Sequence, residues 1–237
     1  AAEPILLDGS SVGDSYTINF DGFVDGGSAI GGLSSQLQLT LNSIVNGIYY
    51  FDYALTNTGA TNDTVSSRVS SFAFNTDPEI VGATSTGAFG FTNLDSNYPN
   101  GIGRVDVCFS GANTGSCAGG GSGGVFDGES GLGSLAIDFG GAISELTLDD
   151  FFVRYQSVDG VAGVTSASGR QTSSGGTEVP APGMFLIFAM ALLALFLPRT
   201  RKVIRKIPMR REKIITLLHR LACCNRYGFV PQCQMNG

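Results

Sequence analysis

The sequence predicts an all-β protein: an antiparallel β-sandwich or jelly-roll-like domain, then a flexible linker and one C-terminal hydrophobic helix. Two observations support this prediction. From Ile5 to about Tyr155, apolar residues recur at every second position, and Gly- and Asn-rich turn formers separate these runs. No helical period of about ten residues or more precedes residue 183. This part of the chain has room for about seven to ten strands.

Five runs show the alternation most clearly. Each has an apolar face and a wetter face, because successive side chains of a strand point to opposite sides of the sheet. The apolar positions are Tyr16, Ile18 and Phe20; Leu37, Leu39 and Leu41; Tyr49, Phe51, Tyr53 and Leu55; Val105, Val107 and Phe109; and Leu135, Ile137 and Phe139. Asn46-Gly47 predicts a two-residue hairpin turn between the second and third runs, since both residues tolerate positive φ.

Charge is distributed unevenly along the 237 residues, whose net charge is −6. Residues 1–198 hold 19 acidic and four basic side chains, a net −15. Residues 199–237 hold ten basic side chains and one acidic side chain, a net +9. The acidic part contains no lysine and offers no basic cluster to neutralise phosphates, which argues against nucleic acid as a partner.

We assign residues 1–159 to the β-domain and residues 160–179 to the linker. The linker segment is rich in Gly, Ser and Thr and has no apolar side chain larger than valine. Such a segment buries too little surface to offset the entropy lost on ordering, which predicts flexibility. The shorter glycine run 118–124 predicts a loop within the domain.

A run of 14 apolar residues, 184–197, follows the linker. As a helix it would span about 21 Å, less than the ~30 Å hydrocarbon core of a bilayer, so a buried core helix is the rival interpretation. The run has no polar stripe, and Arg199, Arg201 and Lys202 follow it. These features favour a membrane-directed segment with its C-terminal end on the cytoplasmic side.

Pro180, Pro182 and Gly183 stand just before this run. A Pro-x-Pro-Gly motif, an apolar helix and a basic cluster, in this order, resemble the PEP-CTERM sorting signal of exported bacterial proteins. In that family a membrane-embedded exosortase reads the signal. We therefore interpret residues 180–202 as a sorting signal. Ala181 stands where the namesake motif has Glu, and the chain continues past the basic cluster to Gly237.

The body of the chain resembles the cistern family of PEP-CTERM proteins. The similarity lies in residues 20–26, 74–78, 101–109 and 148–156. It implies export through an inner-membrane intermediate to the cell surface or the extracellular matrix, and it implies no enzymatic activity. The implied partners are an exosortase, the membrane through residues 184–197, and exopolysaccharide.

Both ends of the chain leave alternatives open. The small residues Ala1 and Ala2 at the start are typical of what signal-peptide removal leaves, and a cloning boundary is the alternative. Residues 203–237 interleave apolar and basic side chains, which predicts a basic amphipathic tail suited to an anionic inner leaflet. Read-through past the expected stop, or a frameshifted gene end, is the alternative for this tail.

The five cysteines fall into two groups. Cys108 and Cys117 are the only pair in the body, and in an oxidising compartment we expect them to form a disulfide; free structural thiols are the alternative. The other three, Cys223, Cys224 and Cys233, lie in the tail with His219. Their spacing matches no usual zinc site, which favours free thiols.

We expect no enzymatic activity. His219 is the single histidine and lies beyond the apolar run, so the body lacks the base of a Ser-His-Asp or Cys-His site. The glycine runs lack the Gly-Lys-Ser/Thr of a phosphate loop. The sequence does not indicate how far Glu145 lies from Asp149 and Asp150, so paired carboxylates for glycoside hydrolysis find no support.

Two kinds of binding site stay open as alternatives to a purely structural role. We expect no cofactor, with calcium as a weak alternative at the acidic pairs Asp21/Asp25, Asp77/Glu79 and Asp149/Asp150, since no calcium-loop motif is present. A carbohydrate-binding, lectin-like module is the second functional hypothesis. Its aromatic candidates are Tyr49, Tyr50, Phe51, Tyr53 and Tyr98.

Overall fold

The structure, a computed structural model, describes residues 3–59 and 64–177. It confirms the all-β antiparallel prediction, since these residues form twelve strands, two short 3-10 turns and no α-helix. The strands are β1 Ile5–Leu7, β2 Ser15–Phe23, β3 Ser34–Val45, β4 Ile48–Asn57, β5 Ser66–Asp77, β6 Gly82–Ser85, β7 Phe91–Tyr98, β8 Gly103–Ser110, β9 Val125–Phe126, β10 Ser130–Asp138, β11 Leu146–Asp159 and β12 Ser166–Thr177. The 3-10 turns are Gly9–Ser11 and Gly87–Phe89.

All twelve strands belong to one hydrogen-bonded sheet. Its order is β6-β10-β4-β3-β2-β12-β11-β5-β8-β7, with β1 added to β11 and β9 added to β5. Every pairing is antiparallel. The strand count exceeds the predicted range because β1, β6 and β9 are too short to show an alternating pattern.

The sheet curls until its two halves pack face to face. The ring of Tyr53 on β4 lies 5.4 Å from the ring of Phe72 on β5, although four strands separate β4 from β5 along the sheet. Ser35 on β3 and Tyr155 on β11 share a 2.8 Å hydrogen bond across the core. The end strands β6 and β7 lie side by side without pairing in the described part of the chain. The sheet is therefore a nearly closed barrel, and its opposed halves are sandwich-like.

The predicted alternation defines the inward face. Leu37, Leu39 and Leu41 on β3 are fully buried, and on β4 the inward side chains Tyr49 and Phe51 are too. Between β3 and β4, Asn46 and Gly47 have φ values of 52° and 82°, the left-handed conformation that a two-residue hairpin turn requires. The hairpin prediction is confirmed.

The linker predicted over residues 160–179 is wrong for most of its length. Ser166–Thr177 forms β12, which lies between β2 and β11 in the sheet. Ala167 and Ser168 on this strand are fully buried. A Cβ atom at Gly169 would overlap the side chain of Val153 on β11. Small residues are therefore what this crowded position accepts, and backbone hydrogen bonds to two neighbours stabilise a strand that buries little apolar side chain.

The other C-terminal predictions lie outside the described residues. They are the sorting signal 180–202, the hydrophobic helix 184–197 and the tail 203–237. Among the residues that the structure does describe, no helix is long and apolar enough to cross a membrane.

Candidate functional site

The predicted disulfide between Cys108 and Cys117 is present. Cys108 lies on β8 and Cys117 lies in the loop that connects β8 to β9, with their Cα atoms 5.8 Å apart. Both side chains are fully buried beside Tyr98 and Val105. The disulfide ties the start of the predicted glycine-rich loop 118–124 to the sheet.

A buried arginine holds the rest of this loop. Arg68 on β5 is 2% exposed, and its guanidinium donates to the carbonyl oxygens of Gly120, Ser122 and Gly123. It also donates to Oε1 of Gln156 on β11 at 3.1 Å, and Gln156 donates in turn to the Ala118 carbonyl at 2.9 Å. We call Arg68, Gln156 and residues 111–124 the loop lock.

The loop lock contains no carboxylate partner for its cation. Every acceptor that Arg68 uses is a neutral carbonyl or amide oxygen. Burial lowers the pKa of the Arg68 guanidinium, because the charged form loses solvation. All four hydrogen bonds that the Arg68 guanidinium makes go to groups of the protein itself, which is the behaviour of a structural element.

A second region, on the opposite half of β11, is open. β12 pairs with Phe152–Gln156 of β11, and β1 pairs with Leu146–Leu148 along the same edge. Between these two pairings the register of β11 against β5 shifts by one residue, and Asp150 has a φ of 47°. This β-bulge re-aims the neighbouring side chains, as bulges next to functional sites do.

The bulge opens a cleft of about 360 Å³ between β1 and β12. We call it the β11 cleft. Its lining residues are Pro4, Asp149, Asp150, Phe151, Phe152, Arg170 and Gln171. Its volume lies near the lower end of the range for small-ligand sites, about 300–1,000 Å³.

Contacts outside the cleft fix several of its side chains. The guanidinium carbon of Arg170 lies 4.2 Å from the centroid of the Phe23 ring, and its Nη2 donates to the Gly27 carbonyl at 2.6 Å. Asp150 accepts a 3.2 Å hydrogen bond from Asn75. The polar groups of the cleft are thus oriented in advance by β2, the loop after it and β5.

Asp149 differs from its neighbours because it accepts no hydrogen bond from the described residues. It is half-buried, and burial is the main cause that raises the pKa of its carboxyl above the ordinary value of 3.8. The carboxylates of Asp150, Asp106 and Asp77 act in the same direction. Burial and the neighbouring carboxylates therefore both disfavour the charged form of this carboxyl.

The structure separates the three acidic pairs named as weak calcium candidates, and Asp77 and Glu79 lie at and just after the end of β5. Asp149 and Asp150 line the cleft, whereas Asp21 lies on β2 opposite Arg170 and Asp25 lies in the following turn. No group of three or more His, Cys, Asp or Glu side chains among the described residues is arranged to hold a metal ion.

The predicted aromatic face for carbohydrate is also corrected. Four of its five members, Tyr49, Phe51, Tyr53 and Tyr98, are buried in the interior. Tyr50 alone is exposed, at 37%, because it occupies the outward position of the alternating β4 strand. An aromatic ring that does reach the candidate site, Phe152, was not singled out by the sequence.

Sequence reasoning missed the cleft as a unit. Asp149 and Asp150 were recognised as an acidic pair, but Arg170 and Gln171 lay in the segment interpreted as a linker. The adjacent residues Asp149-Asp150-Phe151-Phe152 interrupt the alternation, which is the one signal of the bulge. No family model, no curated protein and no solved structure matches this chain.

Proposed function

We propose that this chain is an exported bacterial protein of the cell surface or extracellular matrix, sorted by an exosortase through its C-terminal signal. Its role is structural or adhesive rather than catalytic. The observation that carries the proposal is a disulfide-bonded β-domain directly upstream of the tripartite signal. The last strand, β12, ends at Thr177, three residues before Pro180.

Two properties of the domain support export. A disulfide persists in an oxidising compartment and is rare in the bacterial cytoplasm. The second property is charge, since residues 1–198 carry a net −15. An acidic, disulfide-bonded barrel is suited to a role outside the membrane, with its C-terminal signal as the part that the sorting enzyme contacts.

The test is the intact mass and location of the full-length chain expressed in an exosortase-bearing bacterium. We expect a product that ends near Pro180–Gly183, reaches the surface, and is two hydrogens lighter than its reduced form. Replacing Pro180, Pro182 and Gly183 with alanine should retain the full-length chain in the inner membrane. Pro208→Ala, in the tail, is the matched control and should be sorted normally. A reduced protein that stays in the cytoplasm would contradict the proposal.

A carbohydrate-binding role is the second candidate, and the β11 cleft is the observation that favours it. The buried aromatics of β4 no longer support this role, but the cleft joins carboxylates, an amide and an aromatic ring in one depression.

A further inference from the structure

We propose that the β11 cleft binds a neutral glycan. The inference rests on the adhesive function proposed above and deepens it, because it names the class of partner that the domain holds and the residues that hold it.

The side chains of the cleft match the chemistry of a sugar. Carboxylates such as those of Asp149 and Asp150 accept strong, charge-assisted hydrogen bonds from hydroxyl groups. The Gln171 amide both donates and accepts. Phe152 and Pro4 provide an apolar wall on the same cleft, and the C–H face of a pyranose ring packs well on such a surface. This mixture of a small apolar wall and a few oriented polar groups is typical of small-ligand sites.

The cleft is ordered before any ligand arrives. Phe152 packs on Tyr98 with ring centroids 6.0 Å apart, and Asp150 is held by Asn75. Gln171 is anchored by a 3.1 Å hydrogen bond from its Nε2 to the Glu3 carbonyl, which leaves its side-chain oxygen available as an acceptor. A site whose groups are already fixed loses less entropy when it binds.

Asp149 provides the reason to expect a ligand with hydroxyl donors. Its carboxylate is half-buried, faces other carboxylates and receives no hydrogen bond within the described residues. Arg170 lines the same cleft, but its guanidinium packs on Phe23 and donates to the Gly27 carbonyl rather than to Asp149. A partly buried carboxylate whose surroundings disfavour its charge gains from a hydrogen-bond donor that a ligand brings. A sugar hydroxyl supplies the missing donor.

Charge selects a neutral glycan over an acidic one. The charged groups around Asp149 are Asp150 on its own strand, Asp77 on β5 and Asp106 on β8, with Arg170 on β12 as the one cation among the described residues that lines the cleft, so negative charge predominates. A uronate or sulfated sugar would bring a further negative charge into this environment, and like charges in juxtaposition oppose binding.

The test is saturation-transfer NMR on the full-length chain, kept in a detergent without a sugar headgroup. The probes are a panel of neutral oligosaccharides built from glucose, galactose, mannose and N-acetylglucosamine, and oligomers of galacturonic acid. We expect at least one neutral probe to bind and the galacturonates not to bind. Asp149→Asn should weaken the affinity about tenfold, as expected for loss of a charge-assisted hydrogen bond. Glu145→Gln removes an exposed charge outside the cleft and should leave affinity unchanged.

Loss of affinity through misfolding can be distinguished from loss of a ligand contact. Asp149→Asn removes a disfavoured charge, so it should melt no lower than the native protein, and Gln171→Ala provides a second, independent loss of contact. The proposal is overturned if no neutral probe binds, if the galacturonates bind instead, or if both variants keep native affinity. Any of these results leaves export and sorting untouched, because those are judged from the mass and location of the chain.

Discussion

The loop lock and the β11 cleft both include residues of β11, and their charged groups differ in how many hydrogen bonds they make. In the loop lock, Arg68 is 2% exposed and makes hydrogen bonds to four acceptors. In the cleft, Asp149 is half-buried and accepts none from the described residues. Groups inside the fold stabilise the charge of Arg68, whereas no donor among the described residues stabilises the charge of Asp149.

This difference indicates that the loop lock contributes to stability and that Asp149 contributes to binding. A buried charge with full hydrogen bonding fixes one arrangement of a flexible, glycine-rich loop. A partly buried carboxylate among like charges slightly destabilises the free protein, and a partner that supplies a hydrogen-bond donor stabilises it. We therefore expect substitutions in the loop lock to lower stability strongly, and substitutions at Asp149 to affect binding more than stability.

The largest effect should come from Arg68→Met. The change leaves three loop carbonyls and Gln156 without their donor, so we expect the free energy of unfolding to fall by about 3 kcal/mol. Urea denaturation measures it. The control is Arg104→Met, which removes an exposed ion pair with Asp95 and should cost less than about 1 kcal/mol. Equal losses in the two variants would show that the buried Arg68 stabilises the fold no more than the exposed Arg104 does.

Removing the disulfide should have the next largest effect. Replacing Cys108 and Cys117 together with alanine should lower the free energy of unfolding by about 2.5 kcal/mol, because the unfolded chain loses a closed loop of about ten residues. Reducing the native protein should give a similar shift in urea. Combined with Arg68→Met, the loss should be smaller than the sum of the two, since both hold the same loop. If the two losses in the free energy of unfolding simply add, the disulfide and Arg68 stabilise the protein independently, which would contradict this prediction.

β12 begins beside Gln156 of the loop lock and reaches the cleft at Arg170 and Gln171. Substitutions at its glycines test whether this segment is a packed strand. Gly169→Val forces a side chain into Val153, so we expect a loss of about 2 kcal/mol in the free energy of unfolding. Gly175→Val, where nothing lies within 4 Å of the added Cβ, should be neutral or slightly stabilising, because valine favours strands. Thermal melting followed by circular dichroism compares the two variants. If residues 166–177 were a flexible linker, both would be neutral.

The smallest expected change is a gain in stability from Asp149→Asn. Because the pKa of Asp149 is raised in the folded state, the native protein binds this proton more tightly than the unfolded chain does. That advantage is present below the ordinary value of 3.8 and is lost as the pH rises through the raised pKa. The variant should therefore melt slightly higher than the native protein at pH 7, and the difference should disappear in acid.

A scan of melting temperature against pH for both proteins provides the measurement, with Glu145→Gln as the exposed control. A variant that melts lower at pH 7 would mean that Asp149 has a stabilising partner and is not free for a ligand.

Much of the barrel follows from the sequence alone. Inward side chains such as Leu39, Phe51 and Val107 are buried where the alternation predicts, because the two-residue period of a strand fixes which face a side chain occupies. The Asn46-Gly47 hairpin and the Cys108–Cys117 disulfide also follow from local chemistry, namely positive φ and an oxidisable pair close in sequence.

Only the tertiary structure determined that the Gly- and Ser-rich segment forms a strand, and only it determined the shape of the cleft. Composition indicates how much surface a segment can bury by itself, but Ser166–Thr177 is stabilised by two neighbouring strands distant in sequence. The cleft, likewise, exists where β1 and β12 diverge along β11. Each residue's preference for a strand or a turn is local and can be predicted from the sequence. The space between strands depends on which distant segments pair there, and this only the tertiary structure determines.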